Sequence, residues 1–313
     1  MKINEVIADN AFNKILEIGA IAPPPKLPKV AGGGITPVTW QGPQSNTWNR
    51  DSNTTAQRLN KQGVSGPEIW KQTGNWMGLD GEWRQEIDDS GAVWKIDPTQ
   101  EGVYKLEDVI DHPKLFDAYP ELRDTEIVFK NDDNEHSLGS AIRSLNRIEI
   151  NPNAANHKNG LVRYGDNILD AGTELSTLNT LTHEWQHLIQ GGQGGQEPSF
   201  SQGSGTANPR TDQVGKAIGK AGHEVPDAFT LYSNHAGEIH ARGAGERVWM
   251  DEPTRQEFYP GDIMTPDEGD WIATDKAFPN DELQKRSSDT VTVPWQNKTT
   301  PRRTVYKYRD PGA

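Results

Sequence analysis

Residues 173–190 read TELSTLNTLTHEWQHLIQ, and the order of side chains in this stretch sets both the architecture and the chemistry to look for. Thr173 is a suitable helix N-cap, since its hydroxyl can accept from an otherwise unpaired backbone N–H of the first turn. Leu175, Leu178, Leu181, Trp185 and Leu188 follow at steps of three and four, the spacing that lines one face of an α-helix. Gly191-Gly192 then ends it. The spacing predicts one long helix from Thr173 to Gln190, with its apolar side in a core and the opposite side facing a cleft.

His183 and His187 occupy that opposite side. Two histidines four apart lie one above the other on a helix and suit a tetrahedral metal with nitrogen ligands. Glu184 is one residue further round than His183, so its carboxylate flanks the ion instead of ligating it. There it can take a proton from an attacking water and hand it to a leaving group. The chain has no cysteine, which removes disulfides and thiolate ligands together and leaves His, Asp, Glu and water as the ligand repertoire.

Catalytic zinc uses three protein ligands and keeps a fourth position open. A third ligand in the metzincin arrangement requires Gly three and His six residues beyond the second His. Those positions are Gln190 and Gln193, so that arrangement is excluded, and a deformylase-type site would need the missing cysteine. The leading candidate is Glu238, in the run Gly237-Glu238-Ile239-His240-Ala241-Arg242. A second helix, expected over Phe229–Met250, would carry it beside the first. His235, His240 and Glu246 are alternatives. Arg242, one turn beyond Glu238, is positioned to pair with it and hold its orientation, as an ordinary surface i,i+4 pair also would. Tyr232, just ahead of this run, could stabilise an oxyanion or simply pack. His112, His136, His157 and His223 have no partner at metal-binding spacing and read as structural or exposed.

The rest of the chain frames this centre. Only 33% of the 313 residues are hydrophobic and the mean hydropathy is −0.81, so a compact centre with long polar flanks is expected. The net charge of −13 disfavours nucleic acid as a partner. No segment approaches the roughly 18 apolar residues of a membrane span. The apolar run Ile15–Ala22 is interrupted by Glu17 and preceded by Glu5 and Asp9, which argues against a signal peptide. An amphipathic helix over residues 3–18 fits it better. Three consecutive prolines at 23–25 and Gly32-Gly33-Gly34 make residues 23–60 an expected linker or a strap across another surface.

From Ile69 the texture changes. Trp70, Trp76, Trp83 and Trp94 fall close together, a density that implies burial, and residues 80–96 resemble a hairpin turning at Asp88–Gly91. Short helices are expected around Leu106–Ile110 and Leu115–Tyr119, with His112-Pro113 as a stop between them. Strands are expected at Glu126–Phe129, Arg147–Ile150, Val291–Val293 and Thr304–Tyr308. The Gly-rich stretch 191–222 would be a lid.

Four stretches taken together carry a family resemblance: IWKQTGNWMGLDGEWRQEIDDS from Ile69 to Ser90, HPKLFDAYPELR from His112 to Arg123, the HEWQHLIQ helix end, and YSNHAGEIHAR from Tyr232 to Arg242. In this order they resemble large polyvalent protein associated domain 23, a metallopeptidase-like domain of phage and mobile-element proteins, over about residues 66–250. The resemblance implies that His183, Glu184 and His187 correspond to that family's HExxH, and Glu238 and Arg242 to its GExxAR-like motif. The stretch Gly191–Gly195 departs from the aromatic-containing Gly-rich sequence expected after the zinc helix. Residues 1–60 and 260–313 fall outside the resemblance.

The resulting expectation is an α+β, zincin-like fold. An N-terminal helix and linker (1–65) and a polar C-terminal extension (253–313) would flank a metallopeptidase-type domain (66–252). One zinc per chain would be held by His183, His187 and Glu238, with Glu184 as base, Tyr232 as oxyanion donor and Arg242 behind Glu238. The strand Arg147–Ile150 would be the edge that receives an extended peptide. Expected partners are a protein or peptide substrate, of host or phage origin, and virion components. The expected setting is the virion or the host cytoplasm. The competing expectation is a non-catalytic virion or ejected interaction protein whose metal site is structural or vestigial.

Overall fold

EIVF at Glu126–Phe129 and RIEI at Arg147–Ile150 each bury every second side chain, as strands with one face on a core must. In the computed structural model they are neighbours in parallel register, Ile127 opposite Ile148 and Phe129 opposite Ile150. The model describes residues 39–152 apart from 79–80, 88–91, 99 and 132–137, then 161–164, 167–170, 172–190 and most of 224–247, with shorter pieces at 215–219, 255–263 and 284–307. The expected helix over residues 3–18, the Pro- and Gly-rich stretch up to residue 38, and nearly all of the expected lid lie outside the described residues.

Gly102–Lys105 and Gly139–Ile142 complete a four-stranded sheet, both antiparallel to their neighbours. This corrects the expected substrate edge. Arg147–Ile150 is hydrogen-bonded on both sides, and the edge strand beside it is Gly139–Ile142, with Gly102–Lys105 at the opposite edge. The reason is local: a single turn at Arg143–Leu145, closed by Asn146 with φ 47°, reverses the chain and lays Gly139–Ile142 against the next strand. Asparagine tolerates this left-handed geometry better than most residues.

The helix Gly172–Leu188, here the ligand helix, crosses the buried face of this sheet. Leu178, Leu181, Trp185 and Leu188 reach Ile127, Phe129, Ile148 and Ile150 in one core. The predicted helix and its apolar face are therefore present, and the last turn widens to π-helical geometry at Ile189–Gln190. Gly139 lets the edge strand come close. A Cβ there would meet Thr180 Cγ2 at 2.8 Å and Glu184 Cγ at 3.1 Å.

A second sheet of three antiparallel strands is ordered Thr39–Gln41, Trp83–Ile87, Asn75–Met77. The expected 80–96 hairpin does not form. Trp83–Ile87 is occupied on both edges by the other two strands, and Val93–Trp94 pairs instead with Ile110–Asp111. Residues 39–61 are also more than a linker. Thr39–Gln41 is a buried strand, and Arg50–Lys61 is a helix capped by the Asn49 side chain, which accepts from the Ser52 N–H at 3.0 Å. His112, which follows the short strand Ile110–Asp111, starts a helix as well as ending the run before it. Its Nδ1 accepts from the Leu115 N–H at 3.2 Å, at the head of Pro113–Ala118.

The expected helix Phe229–Met250 is two helices, Ala228–Ser233 and Ala236–Arg247, broken at Asn234-His235. The second packs closely along the ligand helix, and Gly245 marks the contact: a Cβ there would meet Asn179 Oδ1 at 2.6 Å. Ala236, Ala241 and Ala244 of the same helix are fully buried. Trp40, Trp70 and Trp76 pack with Ala236, Ile239 and Ala244 of this helix, so two of the four clustered tryptophans are deeply buried while Trp83 and Trp94 are partly covered. Strands at Thr290–Val293 and Val305–Lys307 match expectation and lie in separate two-stranded pairs. The described residues are thus an α+β assembly of small sheets and helices. None of their helices is long and apolar enough to cross a membrane.

Candidate metal centre

The close helix pair brings three side chains to one point. His183 and His187 project from the ligand helix, and Glu238 projects from the first turn of Ala236–Arg247, the end where a helix favours an anion. His183 Nε2 and His187 Nε2 are 2.9 Å apart. Glu238 Oε2 is 3.6 Å from the first, and Oε1 is 3.3 Å from the second. Ligand atoms about 2.0–2.1 Å from a tetrahedral zinc are separated by about 3.3 Å, so the triangle has the size of one face of such a shell. Among the described residues these are the three side chains grouped to hold a metal ion.

The donor set and its surroundings suit a divalent cation. Glu238 Oε1 is buried without a hydrogen-bond donor among the described residues. Glu238 and His187 are almost fully buried, whereas the His183 side chain keeps 20% of its surface open to solvent. The cluster therefore has one accessible side, as a site with an open coordination position requires.

Two amide contacts fix the inner histidine. His187 Nδ1 donates to Gln190 Oε1 at 3.1 Å, and Gln190 Nε2 donates to the Gly237 carbonyl at 3.0 Å. Gln190 was not singled out as a functional residue from the sequence. The available signal was a polar residue three positions past the second histidine, at a helix end that must be buried.

Glu184 lies beside the triangle, 6% exposed, with the backbone N–H of Ala141 on the edge strand directed to its carboxylate. Burial pushes its pKa above the usual carboxylate value, and the neighbouring imidazoles pull it only partly back. Such a shift moves a carboxylate toward the range of a general base. Tyr232, from the preceding short helix, is held against Glu238. Burial first, then the charges of Glu238 and Glu184, drive its pKa well above 10, so its hydroxyl remains a donor at all ordinary pH values.

Arg242 donates to the Ser233 carbonyl at 2.7 Å, tying the helix that carries Glu238 to the one that carries Tyr232. Of the alternative ligands, His240 points elsewhere. Its Nδ1 accepts from Arg84 at 3.1 Å and its ring packs edge-on against Trp76. His235 is buried outside the triangle, and the Glu246 side chain lies outside the described residues.

The back of the ligand helix is held just as firmly. Between the two ligands, Gln186 Oε1 accepts from the Trp40 N–H at 2.8 Å, and its Nε2 donates to the Trp40 carbonyl at 3.2 Å. Trp185 Nε1 donates to Thr39 Oγ1 at 2.9 Å. On the other side Trp40 Nε1 donates to the His240 carbonyl at 3.2 Å. The strand Thr39–Gln41 therefore clamps both ligand-bearing helices from behind.

That strand opens a segment of known type. Residues 39–97 match large polyvalent protein associated domain 23. No curated protein and no solved structure matches the chain. The match includes the Trp-rich stretch, ends before the other three stretches that carry the resemblance, and takes in residues 39–60, which the resemblance leaves out. In the fold, the matched segment forms the three-stranded sheet with its two helices and ends on the strand Val93–Trp94. It meets the two ligand-bearing helices through Thr39, Trp40 and the tryptophan cluster and contributes none of the three ligands.

The titrating groups predict a pH signature. Burial opposes the charged form of His187, but Glu238, Glu184 and Gln190 together hold its pKa above the ordinary 6.5. Its contribution to metal-free stability is present below 6.5 and lost as pH rises through the raised value. Glu184, also raised, becomes a growing penalty as pH climbs from 4.5 to its own folded pKa. Burial likewise opposes ionised Glu238, but the two imidazoles hold it well below 4.5. Its contribution is complete above 4.5 and fails only in stronger acid. Metal-free melting temperature should therefore fall as pH rises from 4.5 through the raised folded values of Glu184 and His187. The increment added by zinc should grow over the same range, because the ligands bind deprotonated. Thermal melts with and without zinc check both slopes.

Proposed function

We propose that this chain is a zinc-dependent peptidase-like protein of phage or mobile-element origin, with a zincin-like arrangement of one zinc per chain on His183, His187 and Glu238. The observation that carries this reading is the convergence of two imidazole nitrogens and a buried carboxylate from two helices, at tetrahedral-shell distances, with Glu184 alongside. Bound zinc would supply Lewis acidity toward a water molecule and a substrate carbonyl. The protein side chains do the rest. Glu184, lifted by burial, accepts the proton of the attacking water and delivers it to the leaving amine. The protonated Tyr232 hydroxyl donates to the developing oxyanion. The edge strand Gly139–Ile142, whose Ala141 N–H is directed at Glu184, is the natural place for an extended peptide to align by strand addition.

A protein or peptide substrate, from host or phage, fits this reading, and virion and host cytoplasm are its settings. One observation favours the rival, a structural or ejected component with a vestigial metal. The family match lies on residues 39–97 and not on the ligands.

Elemental analysis tests the ligand set. Wild type should carry about one zinc per chain, and His183→Ala and Glu238→Ala should each lose it while remaining folded by circular dichroism. Full zinc retention in Glu238→Ala would refute the ligand assignment.

A further inference from the structure

We infer that Gln190 is the positioning residue of this centre, selecting the tautomer of His187 and locking the two ligand helices at the ligation distance. The inference rests on the metal reading above and extends it to a residue outside the ligand set. Gln190 is buried and lies on the π-helical turn that closes the ligand helix. Its amide makes two contacts of opposite sense, one to His187 Nδ1 and one to the Gly237 carbonyl, the residue immediately before Glu238.

The chemistry leaves a single consistent orientation. A backbone carbonyl only accepts, so the NH₂ of the Gln190 amide must face Gly237. Its oxygen then faces His187, which obliges Nδ1 to carry the hydrogen. The lone pair of His187 is thereby left on Nε2, the atom 3.3 Å from Glu238 Oε1 and 2.9 Å from His183 Nε2. The opposite tautomer would set a lone pair on Nδ1 against the amide oxygen. One side chain thus prepares a metal-binding nitrogen and fixes the distance from His187 to the helix turn bearing Glu238. Partners of this kind orient a histidine ligand and raise its basicity.

The test compares wild type with Gln190→Met, near in size but with only a weakly accepting sulfur and no donor, and Gln190→Glu, which keeps an accepting oxygen. Zinc affinity is measured by chelator competition, cobalt(II) absorption reports ligand geometry, and metal-free melting reports packing. Gln190→Met should bind zinc roughly 10- to 100-fold more weakly with an altered cobalt spectrum. Gln190→Glu should recover the affinity and spectrum while its metal-free form melts lower than wild type, because a carboxylate replaces the donor to Gly237.

In zinc-loaded wild type, imidazole nitrogen NMR should find His187 protonated at Nδ1, a readout that needs no variant to fold. Wild-type affinity in Gln190→Met, equal weakening in Gln190→Glu, or a His187 hydrogen on Nε2 would each overturn the inference and leave the metal reading standing. Wild type that takes up no zinc would overturn both.

Discussion

Glu184→Gln should keep one zinc per chain and an unchanged fold, and lower the turnover of a cleavable peptide by roughly 10²- to 10⁴-fold, the usual contribution of a positioned acid–base group. The amide is nearly isosteric and can still meet the Ala141 N–H with its oxygen, so the packing against Gly139 and Thr180 is preserved. What disappears is the ability to accept a proton from water. Because burial lifts the Glu184 pKa in the wild type, removing the charge relieves a desolvation penalty, and the metal-free variant should melt no lower than wild type at neutral pH. Activity on a peptide library and bound zinc, measured on the same preparation, check the prediction. Equal cleavage by both proteins would remove Glu184 from the chemistry. A wild type that binds zinc and cleaves nothing, even in host lysate, would favour the interaction-protein reading.

Trp40→Ala should be the most damaging change at a distance from the ligands. Trp40 is fully buried, packs edge-on against Trp76 at 4.9 Å between ring centroids, and donates to the His240 carbonyl. Truncating a buried aromatic costs about 3–5 kcal/mol. Here the loss also opens a gap against Ala236 and Ile239, on either side of Glu238. Urea unfolding should register the destabilisation, and zinc affinity should fall with it because the carboxylate-bearing helix loses its backing. Trp40→Phe should cost less on both measures. An alanine variant as stable as wild type would mean that the domain 23 segment is not part of the same cooperative unit as the metal centre.

The central helix was legible because three independent signals coincide in residues 173–190: the apolar spacing, the terminal glycines and the paired histidines. Glu238 could be named because a ligand must be a His or an acid when cysteine is absent, and the second helix carries it beside the first; its rivals His235 and His240 are set aside only by their contacts in the fold. What misled were the contacts between segments remote in the chain. The residues after Asp88–Gly91 looked like the partner of Trp83–Ile87, yet Thr39–Gln41 occupies that edge, a pairing that no local pattern announces. The role of Gln186 depends on a backbone 146 positions away, which nothing in its immediate neighbourhood announces. The break at Asn234-His235 was hidden by helix-compatible residues on both sides, and it lets Tyr232 and Glu238 belong to separate helices that meet at one place.

The bidentate contact of Gln186 with the Trp40 backbone has a mechanical meaning. Its anchorage lies one residue from His187 and two from Glu184, so a shift of the strand Thr39–Gln41 is felt in the middle of the motif.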